Sequence, residues 1–182
     1  MTYYGSKELA AGFRTVRANT LAIAKDIPED KYGFSPAPGT RTVAGTLVHI
    51  AIMNRMPMLI HGENRISTLA GFNFPALVAE AVAEENKPRT KAEIIELLAT
   101  GGERFAQFLE GLPEEILAEQ VAMPMGTPTH KSRFEMLLGA KEHEMHHRGQ
   151  LMIAERMLGI TPHLTRQMQE RMAARQSQTV QA

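Results

Sequence analysis

The stretch "SRFEMLLGAKEHEMHHRGQLMIAERMLG", residues 132–159, decides how this chain folds. Ser132 and Glu135 have the Ser-x-x-Glu spacing of a capping box, in which each side chain satisfies a backbone N–H left free at a helix start. Gly159 is a natural C-terminal stop, and Pro162 follows it. Between them Met136, Ala140, His143, His147, Gln150, Ala154 and Met157 alternate steps of four and three. That spacing is one face of a helix, expected from Ser132 to about Leu158 with the stripe turned to a core. Two histidines and a glutamine sit in the middle of the stripe, where apolar side chains belong.

Working outward, three more segments show helical periodicity. Leu9, Phe13, Val16, Thr20, Ile23 and Ile27 mark the first, closed by Pro28. "KYGFSPAPGT", 31–40, is rich in Pro and Gly and is expected to be a loop. The second helix starts near Thr40 or Thr42, with Val43, Leu47, Ile50 and Met53 on its apolar face. Pro57 should kink or end it, unless it begins a new turn. Residues 62–89 form a long connection with a short helix expected around 75–86. Thr90 is placed to cap the third helix, with Ile94, Leu98, Gly101, Phe105, Phe108 and Leu112 along one face and "GLP" at its end. "AMPMGTPTHKS" is expected to be a loop into the helix of the opening stretch. No segment sustains period-two alternation. The fold class expected is all-α, a four-helix bundle with a long crossover between helices two and three, because that connection is too long for a tight hairpin. One domain is expected over 1–172, with a polar, frayed tail over 173–182.

Composition narrows the function. The 182 residues carry 20 Lys+Arg and 20 Asp+Glu, so there is no basic field to hold a nucleic-acid backbone. No membrane-spanning run is expected, and "MTYYGSKELAAGF" lacks the basic start and apolar run of a secretory leader. The compartment expected is the cytoplasm. Cysteine is absent, which removes disulfides, thiolate ligands and a Cys nucleophile; any metal must be held by N and O donors.

The histidines are the chemistry-bearing residues. His143 and His147 are one turn apart on one face, so their rings can converge on a point, a standard spacing for metal ligands. A divalent ion needs a third protein ligand. His49, mid-helix in "LVHIAIM", is the first choice, because bundle cores build metal sites from facing helices. A lone buried histidine is more often a hydrogen-bonded core residue than a ligand; three from two helices reverse that balance. His61, His130 and His163 rank lower. Glu144 and His146 are the nearby candidates for a catalytic base. A fourth ligand, from His61 or Glu63, would instead make the site closed and structural, as in a non-catalytic metal-binding stress protein. The third possibility is a packed, hydrogen-bonded histidine cluster without metal.

His143-Glu144-Met145-His146-His147 also spells H-E-x-x-H, the metalloprotease pattern in which the glutamate is the general base. The metzincin extension would require Gly at position 150, which is Gln. The helix continues past the pattern, and no strand edge is evident to pair with a peptide. The protease reading is therefore weak.

"LLGAKEHEMHHRGQLMIAERMLGITP", with its His-x-x-x-His pair running into Arg-Gly-Gln, resembles the last helix of the DinB/YfiT-like family of metal-dependent enzymes. "FSPAPGTRTVAGTLVHI" resembles the loop and helix carrying that family's third histidine, and the resemblance extends over nearly the whole chain. It implies a four-helix bundle with a crossover. It also implies a divalent metal, nickel or zinc, on His49, His143 and His147, and frequent homodimers. Characterised relatives act on small-molecule substrates as thiol-dependent transferases and isomerases using a low-molecular-weight thiol, or belong to a hydrolase-like group. The function expected is activation of a thiol or water nucleophile at a three-histidine metal site.

Overall fold

The computed structural model describes residues 4–62 and 65–180, with side chains to 176. Among the described residues seven α-helices follow in order: α1 Ser6–Asp26, α2 Val43–Met53, α3 Arg55–His61, α4 Phe74–Glu85, α5 Lys91–Glu110, α6 Arg133–Met157 and α7 His163–Val180. The bundle is made by α1, α2, α5 and α6, and the crossover helix α4 lies against α2.

The helix starts are set by side chains that satisfy free backbone donors. Thr42 accepts from Gly45 N–H at 3.0 Å and starts α2. Thr90 with Glu93 starts α5, and Ser132 with Glu135 starts α6, each as a capping box. Each such cap stabilises its helix by about 0.5–2 kcal/mol. The break between α2 and α3 falls at Asn54. Pro57 then sits in the first turn of α3, where its missing N–H would have had no helical partner.

The apolar stripe of α1 is buried as expected: Leu9, Phe13, Val16, Ile23 and Ile27 are at most 6% exposed. The core forms in two main parts. Ile23, Leu47, Ile50, Leu98 and Leu151 fill one end of the bundle. Leu9, Phe13, Phe105, Leu109 and Leu137 fill the other. There the Phe13 and Phe105 rings meet edge to face, centroids 4.8 Å apart. A smaller cluster of Ile60, Leu69 and Val121 closes the side beneath α3. Against the expectation of no membrane-spanning run, the 19 residues Val43–His61 hold an 18-residue window of mean hydropathy 1.4, long and apolar enough by length and composition to cross a membrane. Its composition fits an inner helix, since 56% of that window is buried inside the bundle.

Three local expectations are corrected. The loop expected over 122–132 carries strand at both ends: β1 Gln120–Ala122 pairs antiparallel with β2 His130–Ser132, Val121 opposite Lys131. Strands of three residues are too short to show a period-two pattern. The polar tail expected over 173–182 is helical through Val180, as the end of α7. Arg166 anchors that helix, donating to Asp26 at 2.6 Å, and His163 Nε2 lies 3.0 Å from Asn19 Oδ1. Finally, α6 is rotated from the expected stripe. Its buried positions are Arg133, Leu137, Glu144, His147, Leu151, Ala154 and Glu155, while Met157 is 56% exposed. His143 therefore lies at the edge of the buried face.

Candidate metal centre

His49 comes from the middle of α2 and His143 and His147 from the middle of α6, on helices packed against each other. His49 Nε2 and His147 Nε2 each lie 3.1 Å from His143 Nε2. The three donor atoms fall within 4.8 Å of one another, and no fourth Asp, Glu or His joins them among the described residues. His49 and His147 are 8% and 7% exposed, so the cluster is largely withdrawn from water.

Two of the three outer nitrogens are already used. His49 Nδ1 is 2.7 Å from Glu85 Oε1, and His147 Nδ1 is 2.8 Å from Gln150 Oε1. Carboxylate and amide oxygens only accept, which assigns the proton to Nδ1 in both rings and leaves Nε2 a bare lone pair. His143 Nε2 faces both lone pairs, and one N–H cannot serve two acceptors. A cation at the meeting point satisfies all three. Two nitrogens bound at about 2.0–2.1 Å to one ion, at tetrahedral or octahedral angles, lie about 2.9–3.4 Å apart, which the two 3.1 Å separations from His143 match. The protonation states agree. Burial pushes His143 down to about 4, helped by His147 and His49. His49 and His147 are lowered as well, chiefly by burial and partly by the nearby Arg41, against the raising effect of Glu85 and Gln150. Neutral imidazoles are the form that ligates. The residues present fit a divalent metal.

Two cavities flank the centre. One of about 760 Å³ runs between α2, α3 and α4 along Ile52, Met53, Met56, Leu77 and Ala81, and it also meets Arg41, His49 and Glu85. The other, about 570 Å³, is lined by Thr40, Arg41, Thr46, Gln150 and Leu151. Arg41 borders both.

Glu144 does not serve the centre. It is 2% exposed and turned to α1, where Oε1 accepts from Arg17 Nε at 2.9 Å and Thr20 Oγ1 at 2.7 Å, and Oε2 accepts from Arg17 Nη2 at 2.9 Å. A carboxylate so committed cannot act as the base expected of it. The H-E-x-x-H protease reading fails for the same reason, since it needs this glutamate free beside the metal. His146 is exposed beside the centre, its ring centroid 5.0 Å from that of His147, and accepts from Gln150 Nε2 at 3.2 Å. Gln150 thus bridges His146 and His147.

The other candidates lie elsewhere. His61 is 1% exposed and pairs with Arg133, whose Nη1 is 3.1 Å from its Nδ1, so it does not supply a fourth ligand. Glu63 lies outside the described residues. His130 lies in β2, and His163 is on α7. Sequence reasoning missed Glu85 and Arg41. No local spacing relates Glu85 to His49, because the contact depends on how the crossover helix seats against α2.

Proteins of known structure share this architecture. YjoA of Bacillus subtilis (strain 168), itself uncharacterised, is 23% identical over 156 residues, 86% of this chain and 92% of that protein. Its structure, that of a DinB-like protein, matches with a TM-score of 0.61 over 85% of this chain and 94% of its own. YfiT of Bacillus subtilis, described as a probable metal-dependent hydrolase with an unusual four-helix bundle topology, matches with a TM-score of 0.68 at 14% identity, over 88% of this chain and 91% of YfiT. A DinB-like protein of Bacillus cereus ATCC 10987 matches with a TM-score of 0.62 at 16% identity, over 88% of this chain and 97% of that one. These likenesses carry the fold. Because the sequence pattern of the DinB superfamily runs through residues 13–151, taking in the whole histidine centre, the chain belongs to the DinB superfamily.

Proposed function

We propose that this protein is a divalent-metal-dependent enzyme acting on a small organic substrate, of the hydrolase or thiol-transferase type. The observation that carries the reading is the convergence of three Nε2 atoms whose partner nitrogens on His49 and His147 are tied down by Glu85 and Gln150. His49, His143 and His147 would hold the ion. When bound, a divalent cation supplies Lewis-acid activation of a nucleophile at neutral pH, water for hydrolysis or a low-molecular-weight thiol for transfer. Three protein ligands rather than four leave a position for that nucleophile, the pattern of catalytic rather than structural sites. YfiT's description as a probable metal-dependent hydrolase supports the same direction.

The chain's own residues supply the rest. The cavity along Ile52, Met53, Leu77 and Ala81 is of the size that takes a drug-sized ligand and would hold an apolar body. Arg41 borders both cavities with a side chain 41% exposed, placed to meet an anionic group of the substrate. His146 is the accessible titratable group beside the ligands and is the candidate for moving a proton. The test is to assay metal-stripped, zinc-loaded and nickel-loaded protein against ester, amide and thiol-plus-electrophile panels. Turnover that requires metal and disappears in His143→Ala supports the enzyme. Stoichiometric metal with no turnover on any panel would favour a non-catalytic metal-binding protein.

A further inference from the structure

The crossover helix contributes one residue to the centre. Glu85, the last residue of α4, directs Oε1 to His49 Nδ1 at 2.7 Å, while its Oε2 accepts from Arg41 Nε at 2.7 Å. The carboxylate thus bridges an imidazole on α2 and a guanidinium in the preceding loop. Glu85 and His49 side chains are each 10% exposed, so this contact is sheltered from water where the Arg41 end is not. Burial alone would raise the Glu85 carboxyl, but hydrogen bonds from Arg41 and His49 outweigh it and hold it below the usual range.

The two supported ligands are not equivalent. His147 donates to a neutral amide oxygen and His49 to a carboxylate. An imidazole whose N–H is given to a carboxylate is held in one tautomer and one ring orientation, and its other nitrogen becomes the stronger donor. Resting on the metal-centre reading above, we propose that Glu85 is a positioning residue that fixes the tautomer and orientation of His49 for metal ligation, with Arg41 holding the carboxylate in place. The centre is then assembled from α2, α6 and the crossover rather than from two helices. Because α4 has no fully buried side chain, seating of the crossover helix and competence of the site are linked through this contact.

A plain surface ion pair between Arg41 and Glu85 would predict something different, so the test compares two substitutions in the full chain. Zinc affinity is measured by competition with a chromophoric chelator for wild type, Glu85→Ala and Glu85→Gln, alongside thermal unfolding of each metal-free protein. Second-sphere partners of this kind are worth about 10–100-fold in metal affinity. A loss in that range is expected for Glu85→Ala, with a smaller loss for Glu85→Gln, whose amide oxygen still accepts from Nδ1. Cobalt-loaded wild type and Glu85→Ala should also differ in their visible ligand-field bands. Equal zinc affinity and identical cobalt spectra in all three proteins overturn the proposal while leaving the metal centre standing. A zinc loss in Glu85→Ala matched by an equal collapse of metal-free thermal stability, unrelieved in Glu85→Gln, also overturns it, because the residue would then only hold α4. Wild type that binds neither zinc nor cobalt would instead overturn the reading beneath it.

Discussion

Arg17 and Glu144 form a two-pronged ion pair inside the bundle, both N–O distances 2.9 Å, with side chains 4% and 2% exposed. The guanidinium also donates to the Leu98 carbonyl at 2.5 Å, and Thr20 donates to the carboxylate at 2.7 Å. The pair lies at mid-bundle, between the apolar cluster of Phe13, Phe105 and Leu137 and that of Ile23, Leu98 and Leu151. It ties α1 to α6 one residue from His143, so it sets how α6 sits beneath the centre.

Breaking that pair should be expensive. Glu144→Ala leaves a buried guanidinium without its counter-charge and is expected to cost about 3–5 kcal/mol. Arg17→Met combined with Glu144→Leu should cost less than Glu144→Ala alone, because no stranded charge remains. Urea unfolding of the variants measures both. A loss under about 1 kcal/mol for Glu144→Ala would mean that water reaches the site and the pair contributes little.

Gly102→Ala gives a second reading of the same network. In an exposed helix interior this change is stabilising by up to about 1 kcal/mol. Here an added Cβ would stand 2.7 Å from Arg17 side-chain atoms that are pinned by Glu144 and Leu98. The sign should therefore reverse, with a loss of about 1–3 kcal/mol. An unchanged or higher melting temperature would show that Arg17 can move aside.

The sequence carried the bundle because helix starts are local. Thr42, Thr90 and Ser132 each cap a helix with their own side chain, three or fewer residues from the donor they satisfy. The three ligand candidates were legible for a related reason: His143 and His147 are one turn apart, and a histidine in an apolar run such as His49 stands out. The rest depends on tertiary placement. The stripe on α6 read as Met136 to Met157 because the histidines were counted with the core. The true inward face includes Glu144 and Glu155, which look like solvated charges until Arg17 is seen opposite the first. Glu85 and Arg41 were invisible because they meet across 44 residues, in a register set by α4 docking on α2.

Glu155 predicts a pH effect on stability. It is fully buried, neither carboxylate oxygen has a hydrogen-bond partner among the described residues, and burial with the nearby Asp26 pushes it up to about 7. The folded pKa lies above the ordinary 4.5, so the stability that comes with the bound proton is present at low pH and is lost as pH rises through about 7. Glu155→Gln carries no charge at any pH and should stabilise the protein above pH 7 by on the order of 2–3 kcal/mol, and much less at pH 5. Chemical unfolding of both proteins at the two pH values checks it, and an equal difference at both would contradict it.

His61 acts in the opposite direction. Burial, with the adjacent Arg133, pushes it down to about 4 from an ordinary 6.5. Between those values the unfolded chain binds the proton and the folded chain does not, so stability falls as pH drops from 6.5 toward 4. His61→Asn should flatten that slope by up to about 1.4 kcal/mol per pH unit. Unfolding midpoints between pH 4.5 and 7 measure the slope, and parallel curves for the two proteins would remove His61 as its source.

The most direct measurement is elemental analysis of the purified full chain after loading with zinc or nickel and desalting, with His49→Ala, His143→Ala and His163→Ala treated identically. His163 is buried on α7 beside Asn19, outside the cluster, and controls for general damage to a histidine. Close to one ion per chain is expected in wild type and His163→Ala, with sharp loss in His49→Ala and His143→Ala. Equal metal in all four proteins, or none in wild type under either loading, would contradict a metal centre at His49, His143 and His147.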